Sequence, residues 1–293
     1  MTRVHGAGPT GARWFGQADL PRLEAAGLSA VVLSIATNPL RRPGSRTATL
    51  LANLDRLQAA ADRHRASNPR GMAVHLAVQG GNAFDSPEDV RGLPDGRLLR
   101  VTLMHLTDSA LGATSSPLGR SRGRGGLTAA GRAMVEVLDE RRILLDLAHA
   151  SKQTFREALA VHSAAVPPVV SHTGVAGVRP SWRNLDDDQI RAVADRGGVV
   201  GIMYHRGFLG RPGRRVGAEA IVRHLEHAID TGGEDVAALG SDWDGLIVTP
   251  RDMPTALELP VLVDRMLARG WPEPRIRRVL GGNALRLIAA ARP

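Results

Sequence analysis

The chain has 293 residues, 43% of them hydrophobic, enough for one large α/β domain with a substantial core. It contains no cysteine, which excludes disulfides, thiolate metal sites and cysteine nucleophiles and leaves catalysis to His, carboxylates, Ser/Thr, Lys, Tyr or a metal ion. A formal net charge of +9 invites a polyanion, but aromatic residues make up only 3% and most arginines lie beside acids, so nucleic-acid binding is not expected.

No run of about 18 apolar residues is present to span a bilayer, and Met1-Thr-Arg-Val-His-Gly lacks the apolar segment of a signal peptide. A soluble cytoplasmic protein is the expectation. Residues 1–15 contain no strand-like apolar run. The first predicted strand is AVVLSIA (30–36), followed by the helical stretch LLANLDRLQAAADRHRA. The second, MAVHLAVQ (72–79), stops at Gly80-Gly81 with Gln79 as its last polar side chain. LRVTLMHL (99–106) is the third, and the basic stretch RSRGRGG (120–126) reads as a loop. A helix over LTAAGRAMVEVLDERR, which Thr128 can cap, leads to ILLDLAHA (143–150). KQTFREALAVH is helical and PPVVSHTG (167–174) is the fifth strand. Asp186 to Asp188 place acids in the first turn of DDQIRAVADRG, where the helix dipole favours them. GVVGIMYH (198–205), the helix AEAIVRHLEHAI, VAALGSDWDG (236–245) and PVLVDRMLARG follow. A final helix, EPRIRRVLGGNALRLIAA, is interrupted at Gly281-Gly282.

Seven near-continuous apolar strands alternating with helices predict a parallel sheet buried on both faces, in a single domain over 1–293. An open doubly wound sheet would want a glycine-rich phosphate turn, and Gly80-Gly81 continues as NAFDSPED, which does not fit. A (β/α)8 barrel collects polar residues at strand C-terminal ends, and here those ends read Gln79, His105, His149, His172, Tyr204/His205 and Asp242/Asp244. The barrel pattern is met, with one strand short of eight.

Singly, each of these residues has a structural explanation. His64, His162, His224 and His227 fall in helices or their flanks, and His75 is mid-strand; none is assigned chemistry. Jointly the strand ends say more. His149 and His172 close consecutive parallel strands, which places their imidazoles about one inter-strand spacing, ~5 Å, apart. That suits two ligands of one metal ion. Asp242 can shuttle a proton, His105 can polarise a carbonyl or stabilise its oxyanion, and Arg183 in PSWRN can clamp a carboxylate.

Over GQADLPRLEAAGL (16–28) to the C-terminus, the sequence resembles the membrane (renal) dipeptidase family of zinc metallopeptidases, within the amidohydrolase-type barrels. The stretches that carry it are VQGGNAFDS, LRVTLMHLTDSALG, GLTAAGRAMVEVLDERRILLDLAHAS, PPVVSHTGVAGVRPSWRNLDDDQIRAVADRGG and ALGSDWDG. The resemblance implies a TIM-type (β/α)8 barrel and a two-zinc centre that hydrolyses dipeptides, including ones with a D-residue on the C-terminal side. At matching positions His149 and His172 would bind the second zinc. His105 would contact the scissile carbonyl, Arg183 the terminal carboxylate, and Asp242 would shuttle the proton.

Two departures stand out. The family's first strand supplies a His-x-Asp pair to the first zinc, whereas residues 1–15 offer His5 but no such pair, so the first strand is expected to be missing. The family's metal-bridging Glu is replaced by Gln79, whose amide carries no charge to hold two dications together. One zinc ion rather than two is therefore expected, with Gln79 as a doubtful ligand. The expected activity is metal-dependent hydrolysis of a small peptide with a free C-terminal carboxylate. The alternatives are an inactive relative that binds a peptide or other small carboxylate, and a different hydrolysis such as lactone opening. Edges left unpaired by a missing strand are sites where the N-terminal residues or a second copy can associate.

Overall fold

The computed structural model describes residues 16–36, 42–163, 165–211 and 215–292. The atypical N-terminus 1–15, with His5, lies outside the described residues. All seven predicted strands form: β1 Ala30–Ala36, β2 Ala73–Gln79, β3 Arg100–Thr102, β4 Leu144–Asp146, β5 Val169–Thr173, β6 Val199–Ile202 and β7 Ala237–Leu239. They pair in chain order, every pair parallel, in one curled sheet of half-barrel form. This is the TIM-barrel-like architecture expected from the alternation of strands and helices.

Several strands are shorter than their apolar runs. The run 99–106 contributes three ladder residues, yet Leu103 and Met104 beyond them are fully buried. Hydrophobicity reports burial, and the chain stays buried after it leaves the ladder to carry His105 into the loop above. The same holds for 143–150, whose ladder ends at Asp146, whereas 236–245 leaves its ladder at Leu239 and is only partly buried from Ser241 to Asp244.

Alternation along each strand sorts the two faces. Val101, Leu145, Val170, Val200 and Ala237 pack in the main core with the surrounding helices. On the inner face, Leu144, Val169, Val199 and Ala238 form an apolar foot closed by Leu287 and Ala291 of the last helix. Two residues further along, the inner face turns polar or bare: Asp146, Ser171, Gly201 and Gly240. The two glycines are required by close approach, because a Cβ there would lie 2.2 and 2.1 Å from the Ser171 carbonyl oxygen.

The helices follow the predicted stretches. Thr128 caps Ala129–Glu140 by accepting from the Gly131 amide at 3.1 Å. Asp186 and Gln189 form a reciprocal capping box at Asp187–Ala194. The interruption at Gly281-Gly282 is a π-helical turn, Arg278–Gly282, between Glu273–Arg277 and Asn283–Ala291. Among the described residues β1 and β7 each keep one unpaired edge. A cavity of about 1350 Å³ opens through the half-barrel, reaching from Leu144 and Val199 at the foot to Gln79, His172 and Asp242 at the mouth.

Candidate active site

Three predicted strand-end residues meet at one point. The Nε2 atoms of His149 and His172 lie 2.9 Å apart, and the ring centroids are 4.9 Å apart, as one inter-strand step requires. The Gln79 amide nitrogen lies 3.4 Å from His149 Nε2 and 3.2 Å from His172 Nε2. His105 stands beside them, its ring 5.0 Å from that of His149 and edge-on to it. Arg183 is buried and donates through Nη2 to the His172 carbonyl at 2.6 Å, which ties its guanidinium to the end of β5.

Asp242 reaches the mouth from the loop after β7. Its φ is +61°, and that of His149 is +65°, a left-handed conformation that costs an L-residue energy and recurs at functional sites. A tether from the other end of the described chain holds the Asp242 loop. Fully buried Gln17 donates through Nε2 to the Ile247 carbonyl at 2.9 Å and accepts from the Asp244 amide at 3.0 Å. Its own amide donates to Asp244 Oδ1 at 2.8 Å.

The electrostatics follow from dehydration beside a buried cation. Burial, then Arg183, pushes His105 down to about 4. Burial and Arg183 likewise hold His149 and His172 well below the ordinary imidazole value, so both are neutral at pH 7. Burial lowers Arg183 itself to about 10. The Asp242 carboxyl is pushed up to about 7 by burial, against the pull of Arg183 and Arg100.

The other histidines have structural partners. His224 accepts from the Val175 amide and faces the Leu209 carbonyl, His162 faces the Val166 carbonyl, and His227 meets Asp187. His205 caps the short helix Arg206–Leu209.

Beneath the histidines is a polar layer that the strand-end pattern does not reveal. Arg100 is ion-paired with fully buried Asp146 and donates to Thr102 Oγ1 at 2.6 Å and to Ser171 Oγ at 3.1 Å. A signal was present: an arginine and an aspartate inside two apolar strands that are buried on both faces must find partners there.

Tetrahedral zinc at about 2.0–2.1 Å from each nitrogen sets two ligands roughly 3.3 Å apart, so the observed pair needs only a small ring adjustment. His149 and His172 offer two neutral imidazole donors with Gln79 as an uncharged neighbour, one short of the three protein ligands usual for catalytic zinc unless Gln79 joins them. No group of three or more His, Cys, Asp or Glu able to hold a metal occurs among the described residues.

The membrane dipeptidase (peptidase family M19) profile matches residues 11–292. The chain belongs to this family. Its fold is similar to that of the metallopeptidase dipeptidase AC of family M19, at 27% identity and TM-score 0.82, covering 94% of this chain and 89% of that one. It is similar also to a Rhodobacter sphaeroides metallopeptidase liganded with a phosphinate mimic of the dipeptide L-Ala-D-Ala, at 25% identity and TM-score 0.79, covering 94% and 90%. An uncharacterized Klebsiella pneumoniae protein from the pqqA 5′ region is 36% identical over 166 residues, 56% of this chain and 60% of that relative. The match therefore spans less than two thirds of that curated relative. No helix among the described residues is long and apolar enough to cross a membrane.

Proposed function

We propose that this M19 chain hydrolyses dipeptides with a free C-terminal carboxylate, using a single zinc ion held by His149 and His172. The observation that carries this reading is the 2.9 Å convergence of two neutral Nε2 atoms beside a buried arginine. A bound zinc ion supplies Lewis-acid polarisation of the carbonyl and makes water more acidic. Arg183 receives the substrate carboxylate and so orients the scissile amide. His105, neutral at pH 7, offers a hydrogen bond to the developing oxyanion. Asp242, titrating near 7, exists in both protonation states there and moves a proton from water to the leaving amine. Gln79 contributes a dipole in place of a charge, which disfavours a second dication nearby.

A second reading has its own observation. His149 can donate an Nε2 proton to His172 Nε2, which also lies within reach of the Gln79 NH2 group, so the imidazole pair can be satisfied without a metal and the pocket can serve to bind a small carboxylate. A dipeptide screen on zinc-supplemented protein separates the two. Turnover that His149→Ala abolishes supports hydrolysis. Arg183→Lys should then raise KM at least about ten-fold for free dipeptides and leave C-terminally amidated ones unaffected, since the planar fork matters only to a carboxylate. Saturable binding with no turnover under any metal would favour the second reading.

A further inference from the structure

We propose that Asp146, locked by Arg100 and acting through Ser171, is a positioning residue that sets both candidate metal-binding imidazoles and fixes the tautomer of His172. Proton bookkeeping around one hydroxyl carries the argument. Ser171 Oγ lies 2.6 Å from Asp146 Oδ2, 3.1 Å from Arg100 Nη1 and 2.8 Å from His172 Nδ1. Asp146, ion-paired with Arg100, only accepts; Arg100 only donates. The single hydroxyl proton must lie on the line to Asp146, or two oxygen lone pairs would face each other at 2.6 Å. Ser171 Oγ is then an acceptor for its other two neighbours. His172 therefore carries its proton on Nδ1 and donates it, and the Nε2 lone pair is directed at His149 and Gln79.

The other carboxylate oxygen acts on the backbone. Asp146 Oδ1 accepts from the Ala148 amide at 3.0 Å and from the Ser171 amide at 2.9 Å. These residues immediately precede His149 and His172. One buried carboxylate thus pins the two strand ends that deliver the imidazoles, including the entry to the left-handed turn at His149. The control is asymmetric, because His149 Nδ1 has no hydrogen-bond partner among the described residues. Hydrogen bonds of this kind behind a ligating histidine orient it and tune its basicity.

The ligand role of His172 rests on the function proposed above; its tautomer does not. The test uses the full chain, metal-free and labelled with 15N at histidine, with the His172 signals identified by their loss in His172→Gln. The expected spectrum has His172 protonated at Nδ1 and bare at Nε2. Ser171→Ala should shift it toward the Nε2-protonated form and weaken the binding of Zn2+ alone by about 10- to 100-fold, with Ser171→Thr restoring both. Protonation at Nε2 in the unaltered chain, or a Ser171→Ala variant with unchanged tautomer, overturns the proposal. An altered tautomer with unchanged zinc affinity upholds the positioning of His172 and overturns its role as ligand, as does a chain that binds no zinc.

Discussion

Burial holds the Asp242 carboxyl at about 7 in the folded chain, against an ordinary value of 3.8. Between those two values the folded state keeps a proton that the unfolded state has released. Stability contributed by this residue therefore falls as pH rises through the window, and levels off above pH 7. Asp242→Asn cannot release the proton. In the metal-free protein, the variant should gain on the unaltered chain by on the order of 3 kcal/mol between pH 4 and pH 7.5, measured by urea denaturation. A constant difference across that range would mean the carboxyl is solvated and titrates normally. At this scale the sequence was informative about partners and silent about protonation. Gln79, His149 and His172 were readable as strand ends, and they converge. The shift of Asp242 comes from dehydration that outweighs the opposing pull of Arg183, 59 positions earlier in the chain, and no local pattern records it.

The elements that present these residues are tied together by contacts remote in sequence. Gln17 precedes the helix Leu20–Ala25, yet its side chain satisfies backbone groups at Asp244 and Ile247, across 227 and 230 positions. Gln17→Ala leaves that amide and that carbonyl without their partner, which should cost about 2–4 kcal/mol by chemical denaturation. The same change frees the loop that bears Asp242, so turnover should fall more than stability alone predicts. A loss below about 0.5 kcal/mol would show that water replaces the glutamine. The strands themselves were legible because each is a buried apolar run. Their ends were not, since Leu103 and Met104 remain buried after the ladder stops. Arg100 and Asp146 were legible as charges out of place, but their meeting required the register in which Arg100 pairs Leu144 and Thr102 pairs Asp146.

Across the whole molecule, the half-barrel supplies two things: an apolar foot that closes one end and a polar mouth that gathers residues from β2, β5 and the loops after β3, β4, β5 and β7. Arg183 is buried at the mouth while Asp242 is half-protonated at neutral pH, so the mouth lacks the fixed negative charge of an anion-lined metal centre; Arg100, in the layer beneath, is balanced by Asp146. On the function proposed above, that arrangement would favour a carboxylate-bearing ligand and a single dication. The family profile, which runs over residues 11–292, assigns the chain to M19 and its fold, while the chemistry rests on the function proposed above. Zinc content of the purified, zinc-equilibrated chain tests this account most directly. About one zinc ion per chain, lost in His149→Ala, is the predicted result. Two zinc ions per chain, or none, would contradict it.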